Sequence, residues 1–267
     1  MGKKLFEKNN RIQNKKGDVV IKASGITKHY GHLEALRGVD IELRAGEIVA
    51  LLGDNGAGKS TLANIICGAI PRSSGYLTIN GKEIIEQSIA NAYRNGIQVV
   101  FQDLALGPDL TVAENIFLGH EILKPGILGS VFGILDRKKM KNESTDYLAK
   151  LGIGLKNMNI AINSLSGGER QALAVARAVT WSWTALLLDE PTAALGARQS
   201  ALVYNTMHMA ADQGLAVMVI SHDIPKMLKE ADRLCIMRHG EIIADVSAKD
   251  IDLQTVLSLM LTGQRLT

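Results

Sequence analysis

Residues 53–61 read GDNGAGKST, and the spacing G-x-x-x-x-G-K-[ST] falls on Gly53, Gly58, Lys59 and Ser60. Glycines there let the backbone curl. The N–H groups of Asp54, Asn55, Gly56, Ala57 and the residues through Thr61 can then face a phosphate without side chains blocking its approach. Lys59 is placed to reach the β- and γ-phosphates, and the Ser60 hydroxyl to ligate Mg²⁺. A second group, Asp189 and Glu190, closes the apolar run of residues 185–188. Asp189 suits Mg²⁺, directly or through water, and Glu190 suits polarising an attacking water. The third group is Ser166, Gly167, Gly168 and Glu169, which open a helical pattern with apolar Ala172, Val175, Ala176 and Val179. A serine hydroxyl and open N–H groups at a helix start make an anion site. The chemistry is that of nucleoside triphosphate hydrolysis, with two anion sites for one nucleotide.

These residues need a scaffold that brings them to one edge. From residue 18 onward, short β-rich runs alternate with helical patterns. Strands are expected at residues 19–24, 39–43, 47–53, 76–80, 97–101, 185–190, 215–221 and 233–239. The central ones are apolar throughout, as strands buried on both faces of a parallel sheet are. Helices are expected at 59–70, 197–214 and 224–231. The early strands, with turns at Gly46 and Asn80–Gly81, suggest an antiparallel portion at one edge. From about 103 to 180 the pattern is helical: Thr111 with Glu114 makes a capping box, and Asp136 opens a helix that closes at Gly152. The fold class predicted is α/β: a P-loop NTPase core with a mainly parallel sheet, an antiparallel β edge and an inserted helical subdomain.

A chain of 267 residues, 46% apolar and 21% charged, has material for one large core. The net charge of +3 is mild, and much of it sits in a basic N-terminal extension, residues 1–17. Such a tail is expected to be solvated, with a membrane-surface or nucleic-acid role as the alternative. Cys67 and Cys235 lie in separate apolar segments and are read as small buried hydrophobes. Neither a secretory signal peptide nor a span of the ~20 apolar residues a bilayer requires is visible.

LSGGE at residues 165–169 resembles the signature of the ATP-binding cassette ATPases of membrane transporters, and the likeness runs from about residue 18 over nearly the whole chain. The resemblance implies two cassettes paired head to tail, each signature closing on ATP held by the other subunit. Residues 18–267 would form the nucleotide-binding domain. It implies that Tyr30 stacks on adenine, that Gln102 contacts Mg²⁺ and the attacking water, and that His222 touches the γ-phosphate. ATP and Mg²⁺ are the implied ligands. A homodimer, transmembrane permease subunits and, indirectly, a solute-binding protein are the implied partners, with no nucleic acid expected. The position implied is peripheral, on the cytoplasmic face of the cell membrane.

The short entry to the signature favours an importer. GDNGAGKST, FQDLALGPDLTVAENIFLG, FGILDRKKM, EPTAALG and LMLTG look like the ATPases of bacterial monosaccharide importers, nearest the fructose- and ribose-type branch. The region around residues 103–119 is expected to grip a permease helix, and the apolar residues 125–135 fit either that surface or packing within the subdomain. One position departs from the family. Ala193–Ala194–Leu195–Gly196 lacks the usual closing aspartate, which reads as a mark of the sugar-importer branch. Rival readings are an ATPase for another solute, a soluble ATPase acting on nucleic acid or ribosomes, and a regulatory nucleotide-binding subunit.

Overall fold

The computed structural model describes residues 14–154, 157–193 and 195–263. Most of the basic extension, residues 1–13, lies outside them. The strands are β1 (Val19–Tyr30), β2 (Leu33–Arg44), β3 (Ile48–Leu52), β4 (Ser74–Ile79), β5 (Lys82–Glu83), β6 (Ile97–Val100), β7 (Ala185–Asp189), β8 (Ala216–Ile220), β9 (Arg233–Arg238) and β10 (Glu241–Ser247). The helices are α1 (Lys59–Ile66), α2 (Ile89–Arg94), α3 (Val112–Ile116), α4 (Ile127–Ser130), α5 (Arg137–Lys150), α6 (Gly167–Trp181), α7 (Ala197–Asp212), α8 (Ile224–Glu230) and α9 (Leu253–Thr262).

Two compact units divide the chain. The larger comprises the described residues of Gln13–Gln102, Trp181–Pro191 and Met207–Thr267. It carries a six-stranded sheet of order β10-β9-β3-β8-β7-β6, parallel except for β10. β3 and β8 are buried at every position, which is why they read as unbroken apolar runs. The antiparallel portion forms its own sheet, β2-β1-β4-β5. Val20, Leu36 and Leu77 of that sheet share one core with Leu51, Leu187 and Met218 of the parallel one. Each such side chain contributes roughly 2 kcal/mol on burial. Cys67 and Cys235 are both buried and free.

Several boundaries differ from the sequence expectation for local reasons. β1 runs on past Ser24 because Gly25, at φ +60, takes up a register shift between Ala23 and Ile26. α1 stops at Ile66 because Gly68, at φ +74, turns the chain against Ser88; a Cβ there would lie 2.5 Å from the Ser88 backbone. Ser88 in turn caps α2, an unexpected helix. β10 was not expected either. It forms behind the His239–Gly240 turn, where both residues have positive φ.

Arg233 at the start of β9 joins elements far apart in sequence. Its guanidinium meets Glu47 at 2.7 Å and Asp245 at 2.7 Å. Burial opposes its charge, but the hydrogen bonds from Glu47 and Asp245 prevail and hold its pKa above the usual arginine range. Arg233→Met leaves two carboxylates facing each other without a cation. The expected cost is about 3 kcal/mol, the low end for a buried pair because Asp245 is partly exposed. A denaturant midpoint within error of the parent's would contradict this.

The smaller unit comprises the described residues of Asp103–Thr180 together with Thr192–Thr206. α3 opens on the capping box: the Glu114 N–H donates to Thr111 Oγ1 at 3.2 Å, and the Thr111 N–H donates to Glu114 Oε2 at 3.0 Å. Asp136 accepts from the Lys139 N–H at the start of α5. Buried Asn115 pins the preceding loop, accepting from the Gly107 N–H at 2.8 Å and donating to the Gly107 carbonyl at 3.0 Å. The apolar segment 125–135 does not pack inward, because Ile127, Leu128, Val131 and Phe132 are all exposed.

Candidate functional site

In the larger unit, register alone gathers most of the candidate residues. β8 stands between β3 and β7, with Ile220 opposite both Leu51 and Asp189. The three strands therefore end at one level, on the carboxyl edge where parallel sheets present their ligand loops. Gly53 continues from β3, Glu190 from β7 and His222 from β8. β6 runs beside β7 with Val100 opposite Leu188, so exposed Gln102 leaves on the same edge.

The glycines of the phosphate loop are required for different reasons. At Gly53, φ +150, a Cβ would stand 2.2 Å from the Met237 carbonyl oxygen. At Gly58, φ +104, it would stand 2.7 Å from the Ala35 carbonyl oxygen. Gly56, φ +82, has open space around it, so only its backbone conformation favours glycine. The β9–β10 turn braces the loop from behind, the Gly240 N–H donating to the Ala57 carbonyl at 3.0 Å. This brace was invisible in the sequence because it acts through main chain far along the polypeptide. Gly58 offers α1 no side-chain cap, which leaves the N–H groups of its first turn for a ligand.

Lys59 Nζ donates to the carbonyls of Gly53 at 2.7 Å and Asp54 at 2.9 Å. Burial pushes its ammonium below the usual lysine range, against the pull of Glu190, Asp189 and Asp54. Asp189 shows the opposite shift. Burial raises its carboxyl, a hydrogen bond with Ser60 lowers it, neighbouring Glu190 raises it further and Lys59 opposes.

A raised carboxyl favours the folded state fully below its unfolded pKa, and that contribution is lost as pH rises through the folded value. Ionised Asp189 is therefore a burden at neutral pH. Asp189→Asn is expected to raise the melting temperature of the nucleotide-free protein at about pH 7, with the gain fading at about pH 3. A lower melting temperature at the higher pH would overturn the assignment of burial as the cause.

Glu190 sits at φ +50, an uncommon conformation for a side chain of its size. Its N–H donates to the Ile220 carbonyl at 3.0 Å, which holds the turn. The carboxylate then reaches back to His222, with Oε2 2.8 Å from Nδ1. Tyr30 ends β1 half-exposed, with Lys28 Nζ 4.9 Å from its ring centre.

Signature residues Ser166, Gly167, Gly168 and Glu169 belong to the smaller unit, and there they form a second capping box. The Ser166 N–H and hydroxyl both donate to Glu169 Oε2, at 2.9 and 2.7 Å, and the Glu169 N–H returns to Ser166 Oγ. These bonds hold the Glu169 carboxyl below the usual range. Gly167 is open, whereas a Cβ on Gly168 would lie 2.2 Å from Gln199 Cγ. Gln199 carried no signal in the sequence. Nor did Arg177, whose guanidinium donates to the carbonyls of Ala105 at 2.8 Å and Leu104 at 3.1 Å, fastening α6 to the loop after Gln102. Ala194 lies outside the described residues. Among the described residues, a Cβ at Gly196 would meet the far end of the Gln199 side chain, at 2.9 Å, so space does not forbid an aspartate there.

An α/β core with a glycine-walled loop, a lysine and serine at its end, and an acidic pair on the neighbouring edge define the class of nucleotide-binding cassettes. Residues 36–193 match the family described as ABC transporter. The chain is 40% identical to the fructose import ATP-binding protein of Rhizobium meliloti, over 92% of this chain and 95% of that one. It is also 40% identical to the xylose/arabinose import ATP-binding protein of Sulfolobus acidocaldarius, over 88% and 91%. With the ribose import ATP-binding protein of Geobacillus kaustophilus identity is 36%, and the match spans 48% of that longer chain. Among solved structures, a nucleotide-free ATP-binding cassette from an ABC transporter aligns with TM-score 0.76 and 26% identity, covering 90% of this chain and 96% of that one. A cassette dimer in a post-hydrolysis state, bound to ADP and Pi, aligns with TM-score 0.70 and 25% identity over 85% and 98%. The chain belongs to the ABC transporter family.

Proposed function

We propose that this chain is the ATP-hydrolysing subunit of a membrane importer, energising uptake of a monosaccharide. The observation that carries the reading is the assembly of Lys59, Ser60, Asp189, Glu190 and His222 around the carboxyl edge of one sheet, in a chain 40% identical to a fructose import ATP-binding protein. ATP would lie along residues 53–61 with adenine against Tyr30. Lys59 leaves the loop carbonyls for the β- and γ-phosphates, exchanging two neutral acceptors for anionic ones. Glu190 accepts a proton from the water that attacks the γ-phosphate, yielding ADP and phosphate. His222 orients that carboxylate and reaches the γ-phosphate.

The donor set fits Mg²⁺. Ser60 and Asp189 are oxygen ligands already in contact, the carboxylate is half-buried with Lys59 opposing its charge, and Gln102 adds an amide oxygen on the same edge. When bound there, Mg²⁺ would offset the charge of the phosphate oxygens. Two copies would pair head to tail, each Ser166–Glu169 segment closing on its partner's nucleotide, with the helical unit about 103–180 engaging a permease at the cytoplasmic membrane face. Among the described residues no helix is long and apolar enough to cross a membrane.

Reconstitution with its permease and solute-binding protein in vesicles tests this. Uptake of labelled pentoses and hexoses should require ATP on the side bearing this chain. ATP turnover without uptake of any monosaccharide would overturn the transport reading while leaving the ATPase reading intact.

A further inference from the structure

Within the smaller unit, two glycines far apart in sequence share one neighbour. A Cβ on Gly168 would lie 2.2 Å from Gln199 Cγ, 2.9 Å from its Cβ and 3.2 Å from its Cδ. A Cβ on Gly196 would lie 2.9 Å from Gln199 Oε1. The glutamine therefore lays its stem over the first turn of α6 and brings its amide to the corner where the chain enters α7. Neither glycine is among those at positive φ, so backbone conformation explains neither of them. What both lack is a side chain, and Gln199 fills the space that each leaves.

The two places that Gln199 joins belong to segments used in the proposed mechanism. The capping box ties Ser166 to Glu169, so the signature moves as one piece with the start of α6. Gly196 ends the loop that follows Glu190 and Pro191 in the sequence. That loop is fastened at its front by the Thr192 hydroxyl, 3.0 Å from the hydroxyl of buried Tyr204. At its rear the Ser200 N–H donates to the Gly196 carbonyl at 3.0 Å, which puts Gly196 just before the first turn of α7. Helices usually begin with a side-chain oxygen at that position. Glycine supplies none, and the side-chain oxygen at this corner comes from Gln199 instead.

We propose that Gln199 is a positioning residue for the signature: its stem seats Gly168, and its amide holds the Gly196 corner in place of a side chain at 196 itself. The inference deepens the ATPase reading and rests on it for the effect on turnover, whereas the packing requires no nucleotide. It gives the departure at 196 a physical reason. A carboxylate at 196 and the Gln199 amide draw on one space, and this chain fills it from the side chain that also touches the signature. Gln199 meets no substrate and acts through Gly168. Small displacements suffice for such a role, because about an ångström of misplacement at a reacting centre costs on the order of 10²-fold in rate.

The stem and the amide are tested separately. In the nucleotide-free chain, hydrogen exchange at the Glu169 and Arg170 amides should quicken about tenfold in Q199A and stay near the parent's in Q199M, whose stem still covers Gly168. ATP turnover of Q199M should fall roughly tenfold, within the cost of misplacing groups remote from the chemistry. Its ATP affinity should hold within about twofold, because the phosphate loop lies in the larger unit and is unchanged. G196D/Q199M should recover turnover to within about twofold of G196D, since the carboxylate restores a polar group at the corner. Parent-like exchange in Q199A overturns the seating of Gly168. Parent-like turnover in Q199M, or a loss that G196D does not repair, overturns the role of the amide. A fall in ATP affinity equal to the fall in turnover would mark a general defect and overturn positioning as well. A parent that hydrolyses no ATP would defeat the ATPase reading, and the exchange comparison would still decide whether Gln199 seats the signature.

Discussion

Glu190→Gln is expected to lower ATP turnover by about 10²–10⁴-fold, the range for loss of a positioned general base. The geometry makes the substitution a clean one. The glutamine amide is the same size, keeps the N–H that donates to Ile220 at 3.0 Å, and can still meet His222 Nδ1. What it loses is the capacity to take a proton from water. ATP affinity should survive, because none of the loop glycines, Lys59 or Ser60 changes. On the head-to-tail pairing proposed above, ATP should hold two copies together when hydrolysis is blocked, so light scattering should report a larger dimer fraction for the variant than for the parent. Turnover at the parent's rate would remove Glu190 from the mechanism. Loss of ATP binding together with turnover would instead assign it a role in holding the loop.

Lys59→Met should separate stability from function. In the nucleotide-free chain the ammonium is buried against the Gly53 and Asp54 carbonyls, and burial is the leading cause of its lowered pKa. Replacing it with an apolar side chain of similar length removes a desolvated charge, so the melting temperature should hold or rise. Turnover should fall by about 10²–10³-fold, the usual cost of removing one preorganised donor from developing charge. Nucleotide affinity should weaken with it, read by titration of the nucleotide-free protein with ATP. A variant that melts lower and still hydrolyses ATP would mean that Lys59 is a structural brace for the loop.

Much of the site was legible from residue types. The glycine spacing of residues 53–61, the acidic pair at 189 and 190 and the SGGE segment each carry a local chemical requirement, and local requirements survive in sequence. The all-apolar strands β3 and β8 were legible because burial on both faces removes alternation. The strand β10 and the continuation of β1 were missed because glycine at a bulge or turn looks like an ending when no partner strand is known. Gln199 over Gly168, and Arg177 on the Leu104 and Ala105 carbonyls, were missed because a neutral side chain or a backbone acceptor leaves no pattern.

The sequence by itself determined the class of chemistry, since only certain side chains at certain spacings can surround a triphosphate. It also determined the family, because those spacings recur together along nearly the whole chain. Three things waited on the tertiary structure. Strand register decided that Gly53, Glu190 and His222 leave from one level, which depends on β8 bonding both to β7 and to β3, the latter far back along the chain. Burial decided the opposite shifts of Lys59 and Asp189, because desolvation is set by what surrounds a charge and not by its neighbours in the chain. Packing decided that Ile127, Leu128, Val131 and Phe132 face outward, since an apolar run reads the same whether it fills a core or lies on a surface.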